Sequence, residues 1–233
     1  MNIMQIYGLA KRAYNIKKEN DQKKSENNYE NEFFYILFKK LENKKVYIDS
    51  NIFMAESNEA IERFFYDFRK YDDIQIIMPS EQYQEIYNKK NKEDLKAARD
   101  AFNRIEQLVD LKKINIINLK EDMVTNAYAD PIFIKMIIDD LKEGHEVCFF
   151  TEDKDLKIRL KVKIKEESLN EDNLLIHSFK TLYNNKYSIV DEERKKEIER
   201  KKERERIDKM LDIIENGTFK SRMAQKVADF ITR

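Results

Sequence analysis

Glycine, proline and cysteine are scarce in this sequence, and each shortage narrows the possible structures. The 233 residues include three glycines and two prolines, too few for the many tight turns of an all-β fold. We therefore expect long helices joined by short loops. The single cysteine, Cys148, cannot form an internal disulfide. Its apolar neighbours predict a buried thiol, and the lack of disulfides suits a reducing, cytoplasmic compartment.

A net charge and long apolar runs are also lacking. The 45 basic residues balance the 45 acidic ones, so no overall positive field attracts nucleic acid. Binding to an anionic polymer would have to depend on local patches or on metal ions. No segment approaches the roughly 20 apolar residues of a membrane-spanning helix, and residues 1–10 do not have the features of a signal peptide. We expect one core domain with appendages and no membrane contact.

The middle of the chain, residues 45–187, alternates short apolar runs with longer amphipathic stretches. This alternation predicts an α/β fold, a three-layer α/β/α domain with a parallel sheet of about five strands. The predicted strands are Val46–Ile48, Ile74–Met78, Ile114–Ile117, Val147–Phe150 and Leu174–Ile176. The predicted helices are Glu59–Lys70, Ser80–Asn88, Lys92–Leu111, Glu121–Glu143 and Leu156–Ile164.

Helical extensions are predicted on both sides of this domain. Residues 1–44 carry two apolar patterns of helical spacing, separated by a polar loop from Lys17 to Asn28. Residues 188–233 begin with a charged helix, Asp191–Asn216, and end with an apolar-faced helix over Phe219–Ile231. Opposite charges at i,i+4 spacing are typical of a solvated helix face. An RNA-binding or partner-binding arm is the other interpretation of the charged helix.

Acidic residues lie where the strands of such a sheet end. Asp49 ends the first predicted strand, and Asp153 and Asp155 follow the fourth. Glu85 lies about one turn into the helix after the second strand, and Asp130 heads an apolar helical face before the fourth. Because the carboxyl ends of parallel strands share one edge, these side chains are expected to converge there. Taken singly, Asp49, Asp153 and Asp155 also suit helix N-caps.

Converging carboxylates favour a bound cation. Two carboxylates about 4 Å apart repel each other by about 4 kcal/mol at an effective dielectric constant near 20. Hard ions such as Mg²⁺ or Mn²⁺ take carboxylate and water ligands and leave positions open for phosphate oxygens, as phosphodiester hydrolysis requires. Zinc is disfavoured because His145, His177 and Cys148 lack ligand spacing.

The motifs around these acids resemble those of PIN domains, a nuclease family that includes VapC-type toxins and RNA-processing factors. The resemblance covers Lys45–Phe179, and its most specific motifs are Val46–Phe53 and Phe150–Leu156. It implies a set of catalytic metal ligands, with Asp155 as an additional ligand. That set is Asp49, Glu85, Asp130 and Asp153.

The resemblance also implies roles for neighbouring side chains. Ser50 and Asn51 would position Asp49 or a metal-bound water, and Thr151 matches a hydroxyl residue that the family often has beside the fourth strand. Glu81, one turn before Glu85, is an alternative second acid. Glu152 departs from the family, which commonly has asparagine there, and adds charge near the site.

The function implied is that of a metal-dependent endoribonuclease acting as a toxin or a phage-defence effector. Two alternatives stay open, a structure-specific DNA nuclease and a non-catalytic PIN-like module that assembles through its terminal helices. Expected partners are RNA, an inhibitory protein or antitoxin, and a second copy of the chain bound through the terminal helices. Phosphate contacts are expected from basic side chains that equally suit solvated helix faces. They are Lys89, Lys90, Lys154, Lys157 and Arg159.

Overall fold

A five-stranded parallel sheet forms the centre of the α/β part of the chain. The computed structural model describes Lys18 and residues 24–92, 95–117 and 129–216. The strand order is β3-β2-β1-β4-β5, and every neighbouring pair is parallel. The strands are β1 (Lys45–Ile48), β2 (Ile76–Pro79), β3 (Ile114–Ile117), β4 (Val147–Phe150) and β5 (Leu174–His177). The predicted α/β class is therefore confirmed.

Helices connect the strands and extend the chain beyond them. The first, α1, covers residues 24–41. It is followed by α2 (Ser50–Phe53), α3 (Glu59–Phe68), α4 (Ser80–Lys92), α5 (Lys96–Asp110), α6 (Ala129–Lys142), α7 (Lys154–Glu166), α8 (Phe179–Asn184) and α9 (Lys186–Asn216). A short 3-10 helix, Glu171–Asn173, precedes β5.

Several helical segments differ from the sequence prediction; α2, for example, was not predicted, and α4 continues past the predicted end at Asn88. Residues 24–28 were predicted as part of a polar loop but are helical, because they continue α1, whose later residues, such as Phe33 and Leu37, are buried. Helix α8 was not predicted, since six residues are too short for helical periodicity to show. Its start is fixed by the side chain of Ser178, which accepts a hydrogen bond from the Thr181 amide.

Several predicted features fall on residues outside the described ranges. They are the apolar pattern from Ile3 to Ala10, the first part of the predicted helix Glu121–Glu143, the helix stop at Gly217, and the last helix over Phe219–Ile231.

Both faces of the sheet are covered by helices. On one face, Phe133 of α6 packs against Phe149 with ring centroids 5.3 Å apart. On the other, Phe64 of α3 packs against Phe150 at 5.5 Å, and Phe38 of α1 stacks on Phe64 at 5.8 Å. Successive residues of a strand point to opposite faces, so Phe149 and Phe150 join β4 to both layers. The α1 helix is thus part of the core.

Cys148 lies between Val147 and Phe149 in β4 and is fully buried. Burial raises the pKa of its thiol well above the ordinary value. The predicted core thiol is confirmed, and the sulfur is kept protonated and unreactive.

Three helices end in the same left-handed turn before the next part of the sheet. Lys112, Gly144 and Ser168 have φ values of 55°, 83° and 55°. In each turn, the amide of this residue donates to the carbonyl three residues back, and the next amide donates to the carbonyl five residues back. This is the Schellman arrangement, which commonly uses glycine. Here only one of the three positions is glycine.

The chain divides into two compact units, residues 1–186 and 187–233. The first unit contains the sheet and helices α1 to α8. In the second, the described residues form one helix with ion pairs along its surface, such as those of Arg200 with Glu193 and Glu197. The predicted charged helix is confirmed. Among the described residues, no helix is long and apolar enough to cross a membrane.

Candidate active site

The candidate site lies at the carboxyl ends of β1 and β4, which are neighbours in the centre of the sheet. The strand order reverses here, because β2 and β3 lie on one side and β5 on the other. Open parallel sheets bind ligands in the crevice at such a reversal. Asp49 directly follows β1, and Thr151, Glu152 and Asp153 follow β4.

Asp49 is buried, with 6% of its surface exposed. Its Oδ2 accepts hydrogen bonds from Asn51 Nδ2 and Thr151 Oγ1, both at 2.6 Å, and its Oδ1 accepts one from Ser50 Oγ at 3.4 Å. Burial raises the pKa of Asp49, against the opposing effect of the Thr151 and Ser50 hydrogen bonds, and the charge of Asp130 adds to the rise. In the described part of the chain, no lysine or arginine forms an ion pair with Asp49.

Thr151 joins the two strand ends. Its buried hydroxyl donates to Asp49 and accepts from the Asp153 amide at 3.0 Å and from Asn51 Nδ2 at 3.3 Å. Asn51 Oδ1 in turn accepts from the Glu152 amide at 3.2 Å. The side chains predicted to support Asp49 therefore surround it, and they tie it to the loop that carries Asp153.

Asp153 caps helix α7. Its Oδ1 accepts hydrogen bonds from the amides of Asp155 at 2.7 Å and Leu156 at 3.1 Å. The N-cap role that the sequence left open is thus present in the structure. The cap uses Oδ1 and not Oδ2.

Asp130 and Asp155 both face one arginine. Arg159 Nη2 donates to Asp130 Oδ2 at 2.5 Å, and its Nε lies 2.8 Å from Asp155 Oδ2. The hydrogen bond to Asp130 raises the pKa of Arg159, so the guanidinium stays charged. Arg159 was predicted to bind phosphate, and the structure places it instead on two of the predicted metal ligands.

The second predicted acid, Glu85, also has a cation within the chain. Lys89 Nζ donates to Glu85 Oε1 at 2.6 Å on α4. The alternative acid, Glu81, accepts from Ser80 Oγ at 3.1 Å. Lys90 Nζ lies 3.9 Å from the centroid of the Phe102 ring and is thus held against α5.

The two remaining basic candidates, Lys154 and Lys157, lie on the first turn of α7, with Lys154 exposed and Lys157 half-buried. Of the five basic side chains predicted to contact phosphate, Lys154 is therefore the most accessible.

Asp49, Asp130, Asp153 and Asp155 are linked through shared neighbours, but the predicted acids are not clustered as closely as metal ligands. Among the described residues, they do not supply three ligand atoms that all lie within 4.8 Å of one another. Asp140, Glu143 and His145 do meet that distance, at the amino end of β4. The turn at Gly144 brings His145 back beside Asp140, a proximity that the sequence spacing did not predict. Asp140 already accepts a hydrogen bond from the Tyr47 hydroxyl at 2.6 Å.

Two buried polar side chains near the site were not predicted. Gln82 Nε2 donates to the Ile48 carbonyl at 2.8 Å, while its buried Oε1 has no hydrogen-bond donor among the described residues. Arg104 is 6% exposed and donates to the carbonyls of Phe53 and Ala55 at 2.5 and 3.0 Å. Arg104 is a polar residue on an otherwise apolar helix face, which is the sequence signal that could have revealed it. Gln82 has no such signal, because Ile86 is the other buried residue among those described in α4. Arg104 holds the chain that follows α2.

Glu152 is bound by the first turn of α8. Its carboxylate accepts from Ser178 Oγ at 2.6 Å and from the Lys180 amide at 3.1 Å. The charge that Glu152 adds near the site is thus directed to a helix N-terminus. A cavity of about 690 Å³ adjoins this loop, with a mainly apolar lining that includes Ile52 and Phe179.

No protein-family model matches the chain, and no curated protein is significantly similar to it. The function has to be inferred from the geometry of the site and from the motifs of the sequence.

Proposed function

We propose that this protein is a metal-dependent endoribonuclease whose site is built around Asp49. The observation that carries the proposal is the state of this carboxylate. It is buried at the carboxyl ends of the central strands and held by three side-chain hydrogen bonds. No described residue forms an ion pair with it. A buried charge without a partner destabilises a fold, and a divalent cation would remove that cost.

The chemistry of the donor set fits such an ion. The candidate ligands are carboxylate oxygens, which Mg²⁺ and Mn²⁺ prefer. Asp49 is fixed in orientation by its donors, and the Asp153 cap leaves Oδ2 for a ligand. A bound Mg²⁺ or Mn²⁺ would supply an activated water and neutralise charge on the phosphate. Gln82 Oε1 adds a buried acceptor beside Ile48, the residue before Asp49.

The surroundings suit a nucleic-acid substrate. Lys154 is exposed at the start of α7, where a positive charge would hold phosphate without recognising sequence.

RNA as the substrate, a cytoplasmic location and a toxin or phage-defence role follow from the resemblance to PIN domains and from the composition. An antitoxin-like inhibitor and self-association through the terminal helices belong to the same proposal. The ion pairs of Asp130 with Arg159 and of Glu85 with Lys89 favour a second candidate. This is a non-catalytic module in which these acids only stabilise the fold.

An experiment that separates these functions starts from labelled tRNA, mRNA and branched DNA, incubated with Mg²⁺, with Mn²⁺ or with chelator. We expect metal-dependent RNA cleavage that Asp49→Asn and Asp153→Asn each reduce at least about a hundredfold. Asparagine is also a good N-cap, so the second variant keeps the α7 cap. Asp110→Asn is the matched control, because Asp110 is exposed at the end of α5, near the amino end of β3 and away from the site.

The other outcomes point elsewhere. RNA cleavage that survives both site substitutions would refute the site, and cleavage confined to branched DNA would favour the DNA nuclease. Absence of cleavage together with absence of metal binding would favour the assembly module. A pull-down from cell extract accompanies the assay, because an inhibitor that co-purifies with the protein would suppress cleavage. Once the inhibitor is removed, metal binding by the protein can still be measured.

A further inference from the structure

Arg159 is positioned between two acids that belong to different helices. It lies on α7 one turn after Asp155, and its guanidinium reaches across to Asp130 at the start of α6. Side-chain exposure is 40% for Arg159 and 34% for Asp130. Although Nε is buried, much of the side chain is exposed, so Nη2 can leave Asp130 without unpacking the core.

This arginine occupies an oxygen that a metal ion would need. Asp130 Oδ2 accepts from Arg159 Nη2 at 2.5 Å, and a metal ion and a guanidinium cannot bind the same oxygen at full strength. An ion pair that is this exposed contributes little to stability. A divalent ion that gains Asp49 as well as Asp130 has the stronger electrostatic interaction, so it would displace the arginine.

The displaced guanidinium has donors to offer. Its Nε faces Asp155 Oδ2 at 2.8 Å, so the donor that is released when Asp130 is lost is Nη2. A guanidinium is planar and presents paired donors that match two oxygens of a phosphate. The ion pair with Asp155 on the same helix would keep the displaced side chain beside the site.

We propose that Arg159 is a resident counter-ion of the metal-free site, which a divalent metal displaces from Asp130 and which then binds a phosphate of the substrate RNA. This inference depends on the proposed function. It assigns Arg159 two successive partners, Asp130 before metal binding and the phosphate afterwards. A purely structural arginine would keep its bond to Asp130 throughout.

The test measures metal binding and RNA binding separately on the full chain. We expect Arg159→Gln to bind Mn²⁺ alone roughly two- to fivefold more tightly, since the competing cation is gone. The same variant should bind the RNA identified as substrate about tenfold more weakly, measured with Ca²⁺ under conditions in which the RNA stays intact. Arg159→Lys keeps the charge, so its Mn²⁺ affinity should stay near that of the wild type while its RNA affinity falls.

Lys163→Gln is the matched control. Lys163 lies one turn further along α7, is 44% exposed and pairs with Glu166 and Glu167 of the last turn and its cap. We expect both affinities to be unchanged in this variant. Thermal melting of all variants shows whether the fold is kept.

The outcomes separate this inference from the proposed function. If the wild-type chain binds no Mn²⁺ and cleaves no RNA, both are refuted. If it binds Mn²⁺ and cleaves RNA, but Arg159→Gln leaves Mn²⁺ affinity unchanged or weaker, only the role of Arg159 is refuted. A lower Tm of Arg159→Gln, together with loss of both Mn²⁺ and RNA affinity, would show that Arg159 only holds α6 against α7.

Discussion

Asp49 is an acid in a place that disfavours its charge. The fold surrounds it with hydrogen-bond donors and not with cations, and the net result is a raised pKa. Functional groups commonly lie in such unfavourable positions, because a site suited to its ligand is not optimal for stability. Without a bound metal, the fold should therefore be more stable when the side chain of Asp49 is neutral than when it is charged.

We predict that Asp49→Asn is more stable than the wild type at neutral pH. Because the folded-state pKa is raised, the protonated acid is favoured at low pH, and stability is lost as pH rises through the folded pKa. The amide has no such loss. A gain on the order of 1 kcal/mol corresponds to about 2–4 °C in Tm for a chain of this size. The measurement is thermal melting from pH 4 to pH 8, in chelator.

The difference in Tm between Asp49→Asn and the wild type should shrink as pH falls toward the ordinary aspartate pKa of about 3.9. Added Mg²⁺ should raise the Tm of the wild type and leave that of Asp49→Asn nearly unchanged, since a ligand stabilises only the state that binds it. A wild type that melts higher than the variant in chelator at pH 8 would contradict the account of Asp49.

Among the elements, the helix-to-strand turns show the effect of few glycines. Lys112 and Ser168 adopt the left-handed conformation that Gly144 adopts in the corresponding turn. For a residue with a Cβ this conformation costs roughly 1–2 kcal/mol, whereas glycine loses about 0.5–1 kcal/mol of unfolded-state entropy. The turns at Lys112 and Ser168 therefore retain backbone strain that a glycine would remove.

We predict that Lys112→Gly and Ser168→Gly each stabilise the fold by about 0.5–1 kcal/mol, and that Gly144→Ala destabilises it by about 1 kcal/mol. A Cβ at Gly144 would meet no atom within 4 Å, so the loss there comes from the backbone alone. Urea denaturation measures these differences. Lys112→Ala is the control for the lost charge, and a gain as large as that of Lys112→Gly would exclude backbone strain as the cause.

The strands were predictable because each is a short apolar run between polar segments. Ile114–Ile117 and Val147–Phe150 match the prediction in full, and the first and last strands gain only one residue at one end. The second strand begins two residues later than predicted, since Ile74 is buried but lies before the paired residues. Buried side chains outside a strand cannot be distinguished from strand residues by hydropathy.

At the scale of the whole molecule, protection from solvent should fall from the centre of the sheet outward. Every residue of β4 is fully buried, whereas all four residues of β5 are partly exposed. The described residues of α9 after Val190 are mostly exposed. Amide exchange is slowest where opening requires the core to unfold.

We therefore predict that hydrogen exchange is slowest in β1 and β4, faster in β5 and fastest in α9 beyond Val190, with rates differing by at least about tenfold between the extremes. Peptide-level mass spectrometry on the full chain gives the order. Protection of α9 equal to that of β4 would contradict it and would show that the charged helix is covered, for example by another copy of the chain.

The candidate site was predictable in position but not in its internal contacts. Asp49 and Asp153 could be placed because Asp49 directly follows one apolar run and Asp153 comes three residues after another. The common edge of a parallel sheet brings them together. The pair of Glu85 and Lys89 is local, at i,i+4 spacing. The bond from Arg159 to Asp130 spans 29 positions and depends on how α6 and α7 pack, which no local pattern specifies.

The loop after β4 is anchored on two sides, at Thr151 to the end of β1 and at Glu152 to the start of α8. A loop held in this way does not act as a hinged cover that closes over a bound molecule. Adjustment during a reaction would fall to side chains and to the substrate itself. If the protein cuts RNA as we propose, a stiff duplex would be a poorer substrate than a flexible or single-stranded RNA, which can bend its phosphates toward Asp49.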